Sequence, residues 1–433
     1  VARLAFVTPL PPAATGIADY SAEVLALLAP AHAIDVFHAQ DEIDAARVPA
    51  GCRVLQARAF LEQNARAPYE LAIYQLGNAP AHAFQYELIP RVPGLLVLHD
   101  LVLHHSRARM FLESEECLAY AREPWSARAR EAAARRVQGY RDEVAYCYPQ
   151  AAARLDEVHL ATVGDLLPYA YPLFRLPVEA SRATAVHNAY MAEAVRNELP
   201  GARVVSVVMP VSRPPAGAVD AAAIRARHGI AGDFVVGCFG LLTREKRIAA
   251  IARAAARARE CGVPLTLLFV GPLPDAPALH GLLREHGLAS RAVVTGRVPF
   301  DELPAYMQAA DVVIQLRYPT ARETSAALLR VLAQGRATVI SDLEHLSDIP
   351  DDAVVRADVS DEEGELTRAI LRLFERPDLR ARFGRNAAAF AGRAHSPARC
   401  RESYEHAIAA ALQAALPAAN PAWPSHWRAA APA

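Results

Sequence analysis

Phe234-Val235-Val236-Gly237-Cys238-Phe239-Gly240-Leu241-Leu242-Thr243-Arg244-Glu245-Lys246-Arg247 is the stretch on which the reading of this chain turns. The short apolar run up to Phe239, closed by a glycine, reads as a buried strand, and the polar residues behind Gly240 read as the loop at its carboxyl end. In an open parallel sheet that loop is where a ligand is met. Lys246 is the only lysine of the chain, because arginine fills the other 45 basic positions. A retained ammonium points to a task that guanidinium performs badly, such as a compact charge on a phosphate; a surface residue with no task is the alternative.

Outward from this stretch the pattern repeats. Runs at 265–270, 292–295, 312–316 and 337–340 alternate with helix-length segments and predict a doubly wound domain. Upstream, runs at 3–8, 34–37, 71–75, 95–98 and 183–186 predict another, and the run at 202–211 leads into the linker signal Pro214-Pro215-Ala216-Gly217. The expected architecture is α/β, with two doubly wound Rossmann-like domains, 1–210 and 211–392, facing across a cleft, and a Pro/Ala tail at 417–433.

With 53% hydrophobic and 21% charged residues, a chain of 433 residues has the apolar material for two such cores, which excludes disorder as its main state. Forty-six basic residues against 47 acidic ones leave no global field for nucleic acid. The six cysteines form no CxxC pair and read as thiols of a reducing compartment; no apolar run reaches membrane-span length and no basic leader opens the chain, so a cytoplasmic protein is expected.

Candidate site residues gather behind the strands. In the first half, Gly16 follows Pro9, Pro11 and Pro12 and either admits a ligand close to the backbone or merely closes a turn. His99 and Asp100 follow the run at 95–98 and suit sugar hydroxyls or a leaving group, the alternative being a helix cap and a histidine satisfied by backbone. A metal on His99, His104 and His105 lacks partners at ligand spacing, and no metal is expected. The arginines from Arg107 to Arg141 form either a solvated helix face or a surface for anionic lipid or a phosphate-bearing acceptor.

In the second half, Leu316-Arg317-Tyr318-Pro319-Thr320-Ala321-Arg322-Glu323-Thr324-Ser325 precedes Leu328, Leu329 and Leu332. Amides at that helix start, with the Thr324 and Ser325 hydroxyls, would seat a diphosphate, and Glu323 would accept from sugar hydroxyls; ordinary N-capping is the alternative. The chain has no G-x-G-x-x-G after a strand, no G-x-x-x-x-G-K-[ST], no G-x-S-x-G and no Asp-x-Asp. Dinucleotide oxidoreductases, P-loop hydrolases and α/β-hydrolases lose support, and charge on a diphosphate would fall to Lys, Arg and helix N-termini.

These residues together resemble the family 4 (group 1) retaining glycosyltransferases of the GT-B fold. The carriers are Pro11-Pro12, Thr15 to Tyr20, Gly77-Asn78 with His82, Leu98-His99-Asp100, Phe239-Gly240, Glu245-Lys246, Val270-Gly271, Thr295-Gly296-Arg297-Val298, Arg317-Tyr318-Pro319, Glu323-Thr324-Ser325 and Gly335. The resemblance implies transfer of a hexose from a nucleotide sugar to a hydroxyl of a saccharide or lipid-linked acceptor, with no cofactor, in surface polysaccharide or glycolipid assembly. It implies that Lys246 and Arg244 hold the diphosphate beside Gly240, that Glu323 holds the sugar, and that the Thr324 and Ser325 amides meet a phosphate. Gly296, Arg297 and Val298 would line the base pocket, Gly16 would lie near the phosphates, and His99 would face the reacting sugar. A last helix at 393–416 would cross back onto the first domain through Tyr404, Ile408 and Leu412. Three features depart from the family pattern: Leu241 replaces an arginine, Arg322 replaces a glycine, and the second glutamate is missing, its position being Val331 by the spacing from Glu323 and Arg330 counting back from Gly335. A nucleotide-sugar epimerase or hydrolase, or a non-catalytic binder, are the competing expectations. Peripheral contact with an anionic membrane is expected from the arginines of 107–141 and from Trp423 and Trp427 in the tail.

Overall fold

The computed structural model describes residues 2–152, 167–214, 217 and 219–430. Two units form: Val1–Met209 with Ala321–Thr324 and Ala398–Ala433, and Pro210–Thr320 with Ser325–Pro397. The loop 321–324, assigned by the sequence reading to the second domain, thus groups with the first. Pro215 and Ala216 of the expected linker lie outside the described residues.

The first unit holds seven parallel strands: β1 (Arg3–Val7), β2 (Ala33–His38), β3 (Arg53–Gln56), β4 (Leu71–Leu76), β5 (Leu95–Leu98), β6 (Ala183–Val186) and β7 (Val204–Ser206), in the order β3-β2-β1-β4-β5-β6-β7. The second holds β8 (Phe234–Phe239), β9 (Leu265–Val270), β10 (Ala292–Val294), β11 (Val312–Gln315), β12 (Ala337–Ser341) and β13 (Val355–Ala357), in the order β10-β9-β8-β11-β12-β13. Both repeat the doubly wound scheme, in which strand order reverses beside the first strand of the unit and opens a crevice at the carboxyl ends. The switch points therefore lie between β1 and β4 and between β8 and β11.

Burial explains which strands the sequence announces. β4, β5, β8, β9, β11 and β12 are buried at every position, as strands covered by helices on both faces must be. β3 and β13, at sheet edges, are only partly buried and carry arginine, so no apolar run marked them.

Helix Pro397–Gln413 belongs to the first unit and buries Cys400, Tyr404, Ala407, Ile408 and Ala411, a stripe at helical spacing. Leu412, expected in the same stripe, is only partly buried. The chain beyond is not a free tail. Trp423 and Trp427 are buried in the first unit's core, and their indole N–H groups donate to Glu179 and Glu143 at 2.8 and 2.7 Å. Glu143 also pairs with buried Arg107, whose guanidinium lies 4.0 Å from the centre of the Tyr86 ring. The tryptophans expected at a membrane are interior and Arg107 is buried in its pair with Glu143, while Arg109, Arg135 and Arg136 pair with carboxylates on the exposed face. Among the described residues no helix is long and apolar enough to cross a membrane.

Candidate functional site

In the second unit the switch-point loops bring together Gly240, Lys246 and the end of β11. Lys246 is buried on a short turn, Arg244–Lys246, and its Nζ donates to Gln315 Oε1 at 2.7 Å. Gln315 is itself fixed, since its Nε2 donates to the Phe239 carbonyl at 3.1 Å. A Cβ on Gly240 would lie 3.8 Å from Lys246 Nζ and 3.5 Å from Ala327 Cβ in the first turn of helix Ala326–Ala333. Lysine, strand end and helix start thus share one small space. The backbone is tight on the other flank: with φ at 138°, Gly271 presses so close that a Cβ there would sit 2.0 Å from the Gly240 carbonyl oxygen. Only glycine fits, which explains why Gly271 follows Val270 at the end of β9.

The remaining candidates of this unit divide. Ser325 caps helix Ala326–Ala333, its Oγ accepting from Leu328 N at 3.3 Å, so its hydroxyl has the ordinary capping role. Leu328 N is taken by that cap, and the amides of Ala326 and Ala327, as at any helix start, have no acceptor within the helix. Arg244 is largely exposed and reaches Glu245 at 3.2 Å. Gly296 continues from β10 with φ at 67° and open space beside it, Arg297 is exposed, and Val298 packs against a core cluster.

In the first unit, Gly77 after β4 is enclosed: a Cβ would lie 2.2 Å from Ile17, 3.1 Å from Asp100 Oδ2 and 3.3 Å from His82 Nε2. Asp100 accepts from Asn78 N at 2.7 Å and stitches the loops after β4 and β5 together; it does not cap a helix. Helix His104–Leu112 instead receives Asn78, whose Oδ1 accepts from Ser106 N at 2.9 Å. His82 donates from Nδ1 to the Gln75 carbonyl at 2.9 Å, while its Nε2 is buried without a hydrogen-bond partner and burial pushes the ring down to about 4. At Gly16 a side chain would meet open space, so the fold itself does not demand glycine there.

His99 is buried and both ring nitrogens are engaged. Nε2 lies 2.7 Å from Gln75 Oε1 and Nδ1 lies 3.1 Å from His187 Nε2, while His187 Nδ1 meets the Val207 carbonyl at 3.0 Å. Gln75 Nε2 continues to Tyr404 OH at 3.2 Å, which is 2.6 Å from Tyr20 OH. The ring expected to face a sugar is therefore tied inward, and burial, with His187, holds it well below the usual histidine range and neutral. His104 is likewise occupied, by the Tyr171 carbonyl and Tyr140 OH, which leaves no nitrogen for a metal.

The loop carrying Glu323 and Thr324 adjoins these residues. The amides of Leu101 and Val102 donate to the Ala321 carbonyl at 2.9 and 3.4 Å, and Asn188 donates to Arg322 O and Thr324 Oγ1 at 3.1 Å each. Arg322 stands in the left-handed region at φ 62°, at the position where the resembled family commonly has glycine. Sequence reasoning missed Gln75, His187, Asn188 and Gln315; the signal available was a polar residue at or near the carboxyl end of an otherwise apolar strand. A separate cavity of about 640 Å³ lies at the opposite, amino ends of β6 and β7, lined by Arg182, Arg203, Glu198 and Trp423 among others, and none of the candidate sugar- or phosphate-binding residues lines it.

Residues 233–376 match the family described as glycosyl transferases group 1. The chain is 33% identical over 117 residues to a 2-deoxystreptamine glucosyltransferase and 27% identical over 169 residues to an alpha-D-kanosaminyltransferase, both of Streptomyces kanamyceticus. These matches cover 26% and 39% of this chain and 30% and 43% of the relatives, so the chain spans less than half of either. Its fold superposes on the crystal structure of Anabaena HepE in complex with UDP and glucose with a TM-score of 0.64, over 94% of this chain and 100% of that one, at 15% identity. The expected resemblance to group 1 glycosyltransferases and the expected GT-B fold of two doubly wound domains are borne out.

Proposed function

We propose that this chain is a glycosyltransferase that moves a hexose from a nucleoside-diphosphate sugar to an acceptor hydroxyl with retention at the anomeric carbon. The observation that carries the reading is the buried Lys246, held by Gln315 beside Gly240 and the start of helix Ala326–Ala333. A fixed ammonium at a switch point, next to first-turn amides, suits the negative charge that grows on a departing diphosphate. Arg244 would add to it from the surface, and Glu323 would accept from the sugar hydroxyls. In this reading the leaving diphosphate takes the acceptor proton, no protein nucleophile is needed, and no metal is required. The relatives' names support a hexosyl donor. The acceptor belongs to the class of saccharides, aminocyclitols or lipid-linked sugars, and a place in surface polysaccharide or glycolipid assembly follows if it is lipid-linked.

The test is incubation with UDP-, GDP- and ADP-glucose and a panel of acceptors including 2-deoxystreptamine, with and without EDTA. Release of nucleoside diphosphate together with an α-linked product from an α-linked donor, insensitive to EDTA, is the expected result. An altered sugar without acceptor would mark an epimerase or hydrolase. One observation favours a non-catalytic binder: neither Val331 nor Arg330, the two positions at which the second glutamate would fall, is acidic, and the Arg330 guanidinium lies 5.0 Å from the centre of the Phe300 ring. Thermal stabilisation by a nucleotide sugar with no turnover on any acceptor would select that reading.

A further inference from the structure

Asn188 ends β6's exit loop as the N-cap of helix Ala189–Glu198, with Oδ1 accepting from Met191 N at 2.9 Å. That bond fixes the orientation of the amide, because an N–H needs an acceptor, and so Nδ2 is the group that meets Arg322 O and Thr324 Oγ1. Elsewhere among the described helices, where the N-cap residue itself caps through its side chain it is threonine, serine or aspartate: Thr15, Asp44, Ser114, Ser126, Asp220, Asp275 and Ser325. Those residues supply the acceptor a cap needs, but only asparagine adds two N–H donors to it. Both donors are used on one loop. The residue is 7% exposed, so water competes little for either bond.

We infer that Asn188 is a positioning residue that holds the loop 321–324, and with it Glu323, in the geometry needed for the donor sugar. The inference rests on the glycosyltransferase reading for what Glu323 does, but the restraint itself is independent of it. The argument is local. Arg322 occupies a left-handed backbone conformation that disfavours every residue but glycine, and its own carbonyl receives one of the two Asn188 bonds. The second bond fixes Thr324, and Glu323 is the residue between them. Arg322 is further steadied by the Tyr190 ring, 5.4 Å from its guanidinium. A residue clamped on both sides loses the freedom to swing, which is what a carboxylate needs if it is to meet sugar hydroxyls in a fixed direction.

The variant Asn188→Ser keeps a capping oxygen and removes both donors. Hydrogen exchange on the full chain should show amides 322–325 opening about tenfold more readily, while those of helix Ala189–Glu198 change by less than about twofold. With the nucleotide sugar that the wild type turns over, kcat for Asn188→Ser should fall about tenfold with UDP, GDP or ADP affinity unchanged. Unaltered exchange at 322–325 in Asn188→Ser would overturn the inference, as would a loss confined to helix Ala189–Glu198. A wild type that turns over none of the donors defeats the functional reading instead, and the exchange experiment still decides the restraint.

Discussion

Lys246 and Gln315 make the sharpest claim at the scale of single residues. The ammonium lies 2.7 Å from Gln315 Oε1 beside Gly240 and Ala327, and a guanidinium, planar and weakly hydrated, is not equivalent to that compact point charge. Lys246→Ala should cost about 2–4 kcal/mol of transition-state stabilisation, on the scale of losing one donor to developing charge, and Lys246→Arg should restore only part. Steady-state rates on folded protein check this, and an Ala variant within threefold of wild type would remove Lys246 from the mechanism. Glu323→Gln tests the other partner: as an acceptor for sugar hydroxyls it should matter to the donor and little to the nucleotide, so turnover should drop while nucleoside diphosphate binds as before. A drop in melting temperature in place of that split would make the carboxylate structural. Gln75 repeats the arrangement in the first unit, on the strand that corresponds to β11, where its Oε1 meets His99 at 2.7 Å. In both units a glutamine near the end of a buried strand orients the cationic or titratable residue beside it.

At the scale of elements, a strand is most legible when both faces are covered, although β10, a partly buried edge strand, is also legible in its apolar Ala292-Val293-Val294. β4, β5, β8, β9, β11 and β12 stand out as apolar runs because helices bury them on both sides, whereas β3 and β13 have exposed edges and no such signature. The candidate site was legible where chemistry is rare in the chain, as with its only lysine, and where a glycine is forced, as at Gly271. It was not legible where a common polar residue gains its role from a partner far away in sequence: Gln75 meets His99 24 residues on, and Asn188 meets Thr324 136 residues on. Tyr404 belongs to the second kind. Its hydroxyl lies between Tyr20 OH and Gln75 Nε2, all fully buried, so Tyr404→Phe leaves two polar groups short of a partner. That variant should lose about 1–3 kcal/mol, the penalty of unsatisfied buried groups, in a denaturant titration with unchanged slope. A loss near zero would mean that Tyr20 and Gln75 repair the gap between themselves.

At the scale of the whole molecule, the first unit is completed by residues that the chain supplies last. Helix Pro397–Gln413 and the turn carrying Trp423 and Trp427 are as much part of its core as β1, although sequence order places them after the entire second unit. Tryptophan near a Pro/Ala-rich end reads as a surface anchor until its indole N–H has a partner, and here those partners are Glu179 and Glu143. Glu143 is the centre of this closure, since it accepts from Trp427 and pairs with Arg107 in a dry interior. Burial would push its carboxyl up, but Arg107, with His426, outweighs burial and holds it down at about 2, against an ordinary value of 4.5. A carboxyl depressed by folding stabilises the fold fully above its ordinary value, and that contribution is lost as pH falls from about 4.5 towards 2. Glu143→Gln, which strands the buried guanidinium, should therefore cost about 3–5 kcal/mol at neutral pH. Trp427→Ala should cost a similar amount through the cavity and the lost donor. The gap in melting temperature between wild type and Glu143→Gln should hold steady from about pH 8 to about pH 5 and narrow below pH 4.5, as the unfolded wild type takes up the proton that its folded state refuses. A gap of constant width down to pH 3 would show that Arg107 does not hold that carboxyl ionised, and that Trp423, Trp427 and Asn420 fasten this segment without help from a charge on Glu143.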